Sequence, residues 1–180
     1  NHALFLRTLK SVLNHTQKKV RAFIIGDGES REQLEHLAAS INLDFTNYTR
    51  DPRRADLTLT SWIKKIDEVY AGADIVALTS LNEGTPVSLI EAQAAGKPIV
   101  TTDVGGIRDI VIPDKTAFVV ASNDEKAFAE MLLRLVEDDE LRHGMTKSNS
   151  HNITDQFDYR RLINDTGALY RRLLDEARNL

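Results

Sequence analysis

The chain has 180 residues, 42% hydrophobic and 28% charged, which suits one globular domain with a core of its own. A formal charge of −4, with 27 acids interleaved among 23 bases, supplies no basic footprint for nucleic acid, so none is an expected partner. No run of 18 apolar residues offers a membrane helix, the first residues do not read as a signal peptide, and zero cysteines exclude a disulfide framework and a thiolate metal site, as expected of a cytoplasmic protein.

Leu6, Leu9, Val12 and Leu13 recur at helical spacing, so an amphipathic helix is expected from Asn1 to about His15. It shows neither a strand nor a cap residue before it. The chain is therefore expected to be a fragment of a larger protein, one domain over residues 1–180 that lacks the first strand and an amino-terminal domain. Residues 20–25 read as a buried strand running straight into Gly26-Asp27-Gly28, and Leu34, Leu37, Ala38 and Ile41 place a helix behind that turn. Strand, glycine turn and helix make a βα unit. The glycines permit positive φ and close approach of backbone to a ligand, although turn chemistry alone also accounts for them.

Residues 43–46 read as a short strand, and Asn47 as a residue able to take the left-handed conformation on leaving it. Residues 50–60, polar and carrying Pro52, Arg53 and Arg54, read as an exposed loop. Trp62, Ile63, Ile66, Val69 and Tyr70 follow helical spacing, with Trp62 expected in the core, and residues 74–80 form a short strand.

Residues 81–100 combine a turn, a short helix and a buried strand. Glu83 lies in the turn, Pro86 suits the first helical turn because its missing N–H leaves nothing unsatisfied, and Glu91 lies inside the helix. Five residues separate Pro86 from Glu91, roughly 7.5 Å of helical rise. Between the two acids the N–H groups of Thr85, Val87 and Ser88 are free, and with the helix dipole they favour an anion. The pair can bracket an extended ligand with phosphate in its middle and hydroxyls at both ends, such as a nucleotide sugar. Each acid alone also has a plainer reading, one as a complement to the macrodipole and the other as a solvent-facing helical residue.

Residues 99–102 lead into a second glycine turn, Gly105-Gly106, expected as a cleft wall with no chemical role. Residues 117–120 form the last strand. A helix through Phe128, Leu132, Leu135 and Val136 and a shorter one through Leu141 and Met145 follow. A final helix spans residues 155–180, and its stripe of Tyr159, Leu162, Ile163, Leu169, Tyr170, Leu173 and Leu174 is expected to be core. Asn152-Ile153-Thr154 has the form of a glycosylation acceptor by chance, and the five histidines, His151 among them, show no metal-ligand pattern. Strands alternating with helices imply an α/β domain, a Rossmann-like parallel sheet with helices on both faces and ligand at its carboxyl edge.

The string from Glu83-Gly84-Thr85-Pro86 through Glu91-Ala92-Gln93-Ala94-Ala95-Gly96-Lys97-Pro98 resembles the donor-site signature of retaining GT-B glycosyltransferases of family four, the group 1 type. The Gly26-Asp27-Gly28 segment, the run from Tyr70 to Ser80 and the Gly105-Gly106-Ile107-Arg108-Asp109 turn resemble further segments of that family, while Ala117 stands where it usually has glycine. The resemblance runs from the first helix to about Met145 and implies the carboxyl-terminal, donor-binding half of a two-domain enzyme.

Such an enzyme transfers a glycosyl group from a nucleotide diphosphate sugar to an acceptor sugar, lipid or other glycoconjugate with retention of configuration, as in polysaccharide biosynthesis. The resemblance assigns Glu91 to the ribose hydroxyls and Glu83 to the catalytic centre beside the donor sugar. It places Gly26, Gly28, Gly84, Thr85, Pro86, Val87 and Ser88 in the donor site. It implies no metal and no cofactor beyond the sugar nucleotide substrate. The family's phosphate-binding Arg and Lys would precede Asn1, and the acceptor site would belong to the missing domain, so the fragment alone is expected to be inactive. The full-length protein is expected in the cytoplasm, with a peripheral place at the inner membrane face left open. Two rival readings remain, a nucleotide-sugar 2-epimerase of the same fold and a non-catalytic Rossmann-like binding module. In the Rossmann-like order the strand before Asn1 is central, so its absence is expected to leave two inner strands with no partner between them.

Overall fold

Six parallel strands, most of them separated by helices, build a computed structural model that describes residues 1–178, apart from the side chains of residues 146, 148–152 and 154. The ladders close into two separate three-stranded sheets. In the first, β1 (Ala22–Ile24) and β2 (Phe45–Asn47) flank β3 (Leu57–Leu59), and in the second, β5 (Ile99–Thr102) lies between β4 (Val76–Leu78) and β6 (Ala117–Val120). All four pairings are parallel. β1 and β2 in the first sheet, and β4 and β6 in the second, each have one ladder partner among the described residues.

Helices cover both faces. Ile99 of β5 packs with Leu89 and Ala92 of α4 (Val87–Ala94), while its neighbour Val100 points the other way, into a cluster with Phe128, Leu132 and Leu135 of α5 (Glu125–Glu137). This two-sided burial explains why the strand reads as a continuous apolar run. α1 (His2–His15) joins the sheets: Leu6 and Leu9 pack with Leu57 and Leu59 of β3, and Val12 joins Val100 and Phe128. α2 (Arg31–Ser40) and α3 (Ile66–Gly72) complete the layers.

Several expectations are corrected. α1 does have a cap, because the Asn1 side chain accepts from the Leu4 N–H at 3.4 Å. The stretch expected as an exposed loop contains β3, the central strand of its sheet, with Leu57 and Leu59 fully buried; three residues in a polar stretch are too few to display a strand period. Trp62 is not core but 78% exposed, in the connection ahead of α3. Asn47 is the last residue of β2 and does not adopt positive φ; its side chain donates to Glu35 at 2.7 Å and accepts from Thr49, while among the described residues Asn42 and Asp114 are the non-glycine ones with positive φ.

The carboxyl-terminal region differs most. The short helix is α6 (Asp139–Phe157), 19 residues long, and the last is α7 (Tyr159–Arg178), so residues 155–157 belong to α6. Asp158 separates them in an extended conformation, its carboxylate accepting from the Arg160 N–H at 2.7 Å. The α7 stripe is not core. No residue of this helix is buried, and Leu162 is 68% exposed. Periodicity identifies the apolar face of a helix, not whether anything covers it. Residues 179–180 of the expected helix, and the side chains of His151, Asn152 and Thr154, lie outside the described residues. No helix among the described residues is long and apolar enough to cross a membrane.

Candidate functional site

The loop after β4 and the start of α4 bring seven of the expected residues together. Pro86 stands one residue ahead of the helix, as N-cap rather than within the first turn, with φ −71° and ψ 108°. Its carbonyl oxygen accepts from the N–H groups of Leu89 at 3.1 Å and Ile90 at 3.4 Å, which starts the helical ladder. The N–H groups of Thr85, Val87 and Ser88 have no partner among the described residues. Gly84, Thr85 and Val87 are exposed, so this end of α4 opens to solvent with its positive dipole end uncovered.

Each of the two acids that flank this opening is fixed by a hydroxyl. Ser80 Oγ donates to Glu83 Oε1 at 2.6 Å, and the Ser80 carbonyl in turn accepts from Thr102 Oγ1 at 2.6 Å. The Tyr70 hydroxyl lies 3.1 Å from Glu91 Oε2 and 2.9 Å from the Ser88 carbonyl oxygen. Burial, followed by the charge of Glu91 and their hydrogen bond, pushes the Tyr70 phenol well above its ordinary value, so it is held as a donor.

Two glycines of the next loop press against the same turn. Gly106 N–H donates to the Gly84 carbonyl at 3.0 Å, and a Cβ on Gly106 would come within 2.5 Å of that oxygen. Gly105 has φ +52° and lies tight against the Glu83 backbone. The glycine pair, expected only as a wall, is therefore a clamp that fixes the Glu83-Gly84 backbone from the neighbouring strand end. Ser80 and Tyr70 are site residues to which the sequence reading gave no role, and Gly105 and Gly106 are ones it gave only as a cleft wall. Ser80 is visible as a hydroxyl three residues before an acid, and the glycines as a close-approach signal, but what each touches is set by the sheet.

Gly26 and Gly28 lie elsewhere, after β1 of the other sheet. Gly26 takes φ +118°, and its N–H points to the Ser61 carbonyl and Thr60 Oγ1, each at 3.3 Å. Gly28 N–H is engaged by the Asp27 carboxylate at 2.9 Å, which also accepts from Arg31 Nε at 3.1 Å and Ser61 Oγ at 3.2 Å. This turn also leaves the carboxyl end of a strand, but the amides of its two glycines are already engaged. Among the described residues no group of three or more His, Asp or Glu side chains is placed to hold a metal ion.

A family model described as glycosyl transferases group 1 matches residues 1–151. A UDP-Gal:alpha-D-GlcNAc-diphosphoundecaprenol alpha-1,3-galactosyltransferase of Escherichia coli is 28% identical over 148 residues, covering 82% of this chain and 35% of that protein. The chain spans about a third of the length of the curated relatives it matches. Among solved structures, a Staphylococcus aureus TarM variant in complex with Fondaparinux, alpha-GlcNAc-glycerol and UDP has a TM-score of 0.78 at 19% identity, covering 93% of this chain and 32% of that one. Anabaena HepE in complex with UDP-glucose has a TM-score of 0.76 at 18% identity, covering 92% of this chain and 44% of that one. At such identities the likeness speaks for the fold, a Rossmann-like α/β domain of the kind that forms the carboxyl-terminal half of GT-B glycosyltransferases. With the family model matched over more than four fifths of its length, the chain belongs to the glycosyl transferases group 1 family.

Proposed function

We propose that this chain is the donor-binding half of a retaining glycosyltransferase that takes a nucleotide diphosphate sugar. The carrying observation is the start of α4, where the unpartnered N–H groups of Thr85, Val87 and Ser88 lie between two acids, each held by a neighbouring hydroxyl. Free backbone donors at a helix start match the oxygens of a diphosphate. As the glycosyl bond breaks, negative charge grows on the departing diphosphate, and donors already aimed at it need no reorganisation. Glu91 accepts from the ribose hydroxyls and Glu83 from hydroxyls of the sugar, both as binding groups rather than proton donors. Gly26 and Gly28, after β1 of the other sheet, are read as a separate wall of the donor cleft, and the protein beyond this chain supplies the acceptor site, so the 180 residues alone transfer little or no sugar.

UDP in the TarM structure and UDP-glucose in the HepE structure support this class of donor. The test is calorimetric titration of the full-length protein with a panel of uridine and guanosine diphosphate sugars. At least one is expected to bind, and Glu91→Ala to weaken the tightest by at least about five-fold. Absence of binding across the panel, or unchanged affinity in the variant, would overturn the reading.

A further inference from the structure

One side chain outside the α4 loop reaches two points of that helix. Tyr70, buried on α3, approaches the Ser88 carbonyl in the first turn of α4 and the Glu91 carboxylate one turn on. Both neighbours are acceptors, so the single phenolic proton is shared between them. A glutamate in mid-helix loses substantial rotamer freedom when a ligand orders it. A donor that fixes the carboxylate beforehand removes that loss from the binding step.

We infer that Tyr70 is a positioning residue for recognition of the donor's ribose. It pins Oε2 of Glu91, leaving Oε1 and the remaining lone pairs to accept from a vicinal diol, and it ties that carboxylate to the turn whose N–H groups face the diphosphate. The inference rests on the reading of Glu91 given above. The competing role is packing alone, since the Tyr70 ring also lies in the cluster of Leu89, Ala92, Ile99 and Ile107. Tyr70→Phe keeps the ring and removes only the hydroxyl, so the two roles separate by ligand: packing is indifferent to whether the ribose carries hydroxyls.

The experiment compares full-length wild type, Tyr70→Phe, Glu91→Gln and the double variant. Each is titrated with whichever of uridine, guanosine and adenosine diphosphate binds wild type most tightly, and with its 2′,3′-dideoxy counterpart. Tyr70→Phe is expected to weaken the ribonucleotide by about five- to twenty-fold and the dideoxy compound by less than about two-fold. Glu91→Gln is expected to erase most of the preference for the ribonucleotide, and adding Tyr70→Phe to it to change little further. Equal weakening of both ligands by Tyr70→Phe, or no weakening of either, overturns the positioning role while Glu91 keeps its own. A Glu91→Gln variant that still prefers the ribonucleotide overturns the ribose assignment and this inference with it.

Discussion

A Cβ built on Gly105 would sit 1.7 Å from the carbonyl oxygen of Glu83. Two loops that follow neighbouring strands, β4 and β5, therefore meet backbone to backbone, and the position of one acid of the candidate site is set by the absence of a side chain 22 residues later. Since the obstructing atom is itself backbone, no side-chain rotation can relieve the contact.

Gly105→Ala is accordingly expected to destabilise the fold by about 1–3 kcal/mol, from the left-handed φ together with the forced shift of the Glu83 loop. Gly28→Ala meets nothing within 4 Å and is expected to stay within about 0.5 kcal/mol of wild type. Urea denaturation of the two variants checks the contrast, and equal costs would refute the clamp.

Phe128, fully buried on α5, and Leu162, exposed on α7, both belong to clean amphipathic stripes. Phe128→Ala is expected to cost about 3–5 kcal/mol, whereas Leu162→Ser is expected to change stability by less than about 0.5 kcal/mol. A large loss on replacing Leu162 in the isolated chain would mean that α7 is covered in solution, contrary to its exposure here.

The two sheet edges make a prediction at single amides. Parallel pairing engages alternate residues: Ala22 N–H donates to the Asp56 carbonyl and Val76 N–H to the Pro98 carbonyl. Phe23 and Ala77, one residue on, point their amides away from β3 and β5. Hydrogen exchange resolved by residue is expected to be much faster at Phe23 and Ala77 than at Ala22 and Val76. Matching protection would show that another segment pairs with these edges.

Tyr70 gives an alkaline signature. Its phenol is raised, so between the ordinary value near 10 and the folded value the native state holds a proton that the unfolded state has released. That contribution to stability is complete below about pH 10 and is lost as pH rises through the folded value. The stability advantage of wild type over Tyr70→Phe is therefore expected to shrink above pH 10, by at most about 1.4 kcal/mol per pH unit. Urea denaturation of both proteins at intervals from pH 8 upward measures it, and a parallel pair of curves would contradict the assignment.

What was legible in the chain was local. A proline ahead of a helix, acids on either side of it and an apolar run behind it lie within some twenty residues, so their mutual placement followed from helix geometry. β3 was hidden because its only signal is Leu57-Thr58-Leu59 inside a polar stretch, and its burial comes from α1, far away in sequence. Trp62 and the α7 stripe misled for one reason: apolar character and period say what a residue would prefer, while exposure depends on whether a partner surface exists. Tyr70 and Glu91 are 21 residues apart, and Gly105 and Glu83 meet only because their strands are neighbours. Such pairings require the sheet order, which no window of sequence contains.

The double sheet carries a mechanical consequence. With no ladder between β1 and β4 among the described residues, the halves are coupled through α1, whose Leu6 and Leu9 grip one and Val12 the other, helped by the Thr79 hydroxyl on the Asn1 carbonyl at 3.0 Å. Apolar contacts resist separation without imposing direction, and the Lys10 ammonium adds a directed bond to the Asn42 carbonyl at 2.7 Å on the first sheet's side. Directed bonds fix α1 and the segment after it to the second half as well, Arg7 to Glu125 and Lys18 to Asp139, each at 2.7 Å, so the helix that seats the first sheet is anchored beside the sheet that carries the α4 opening.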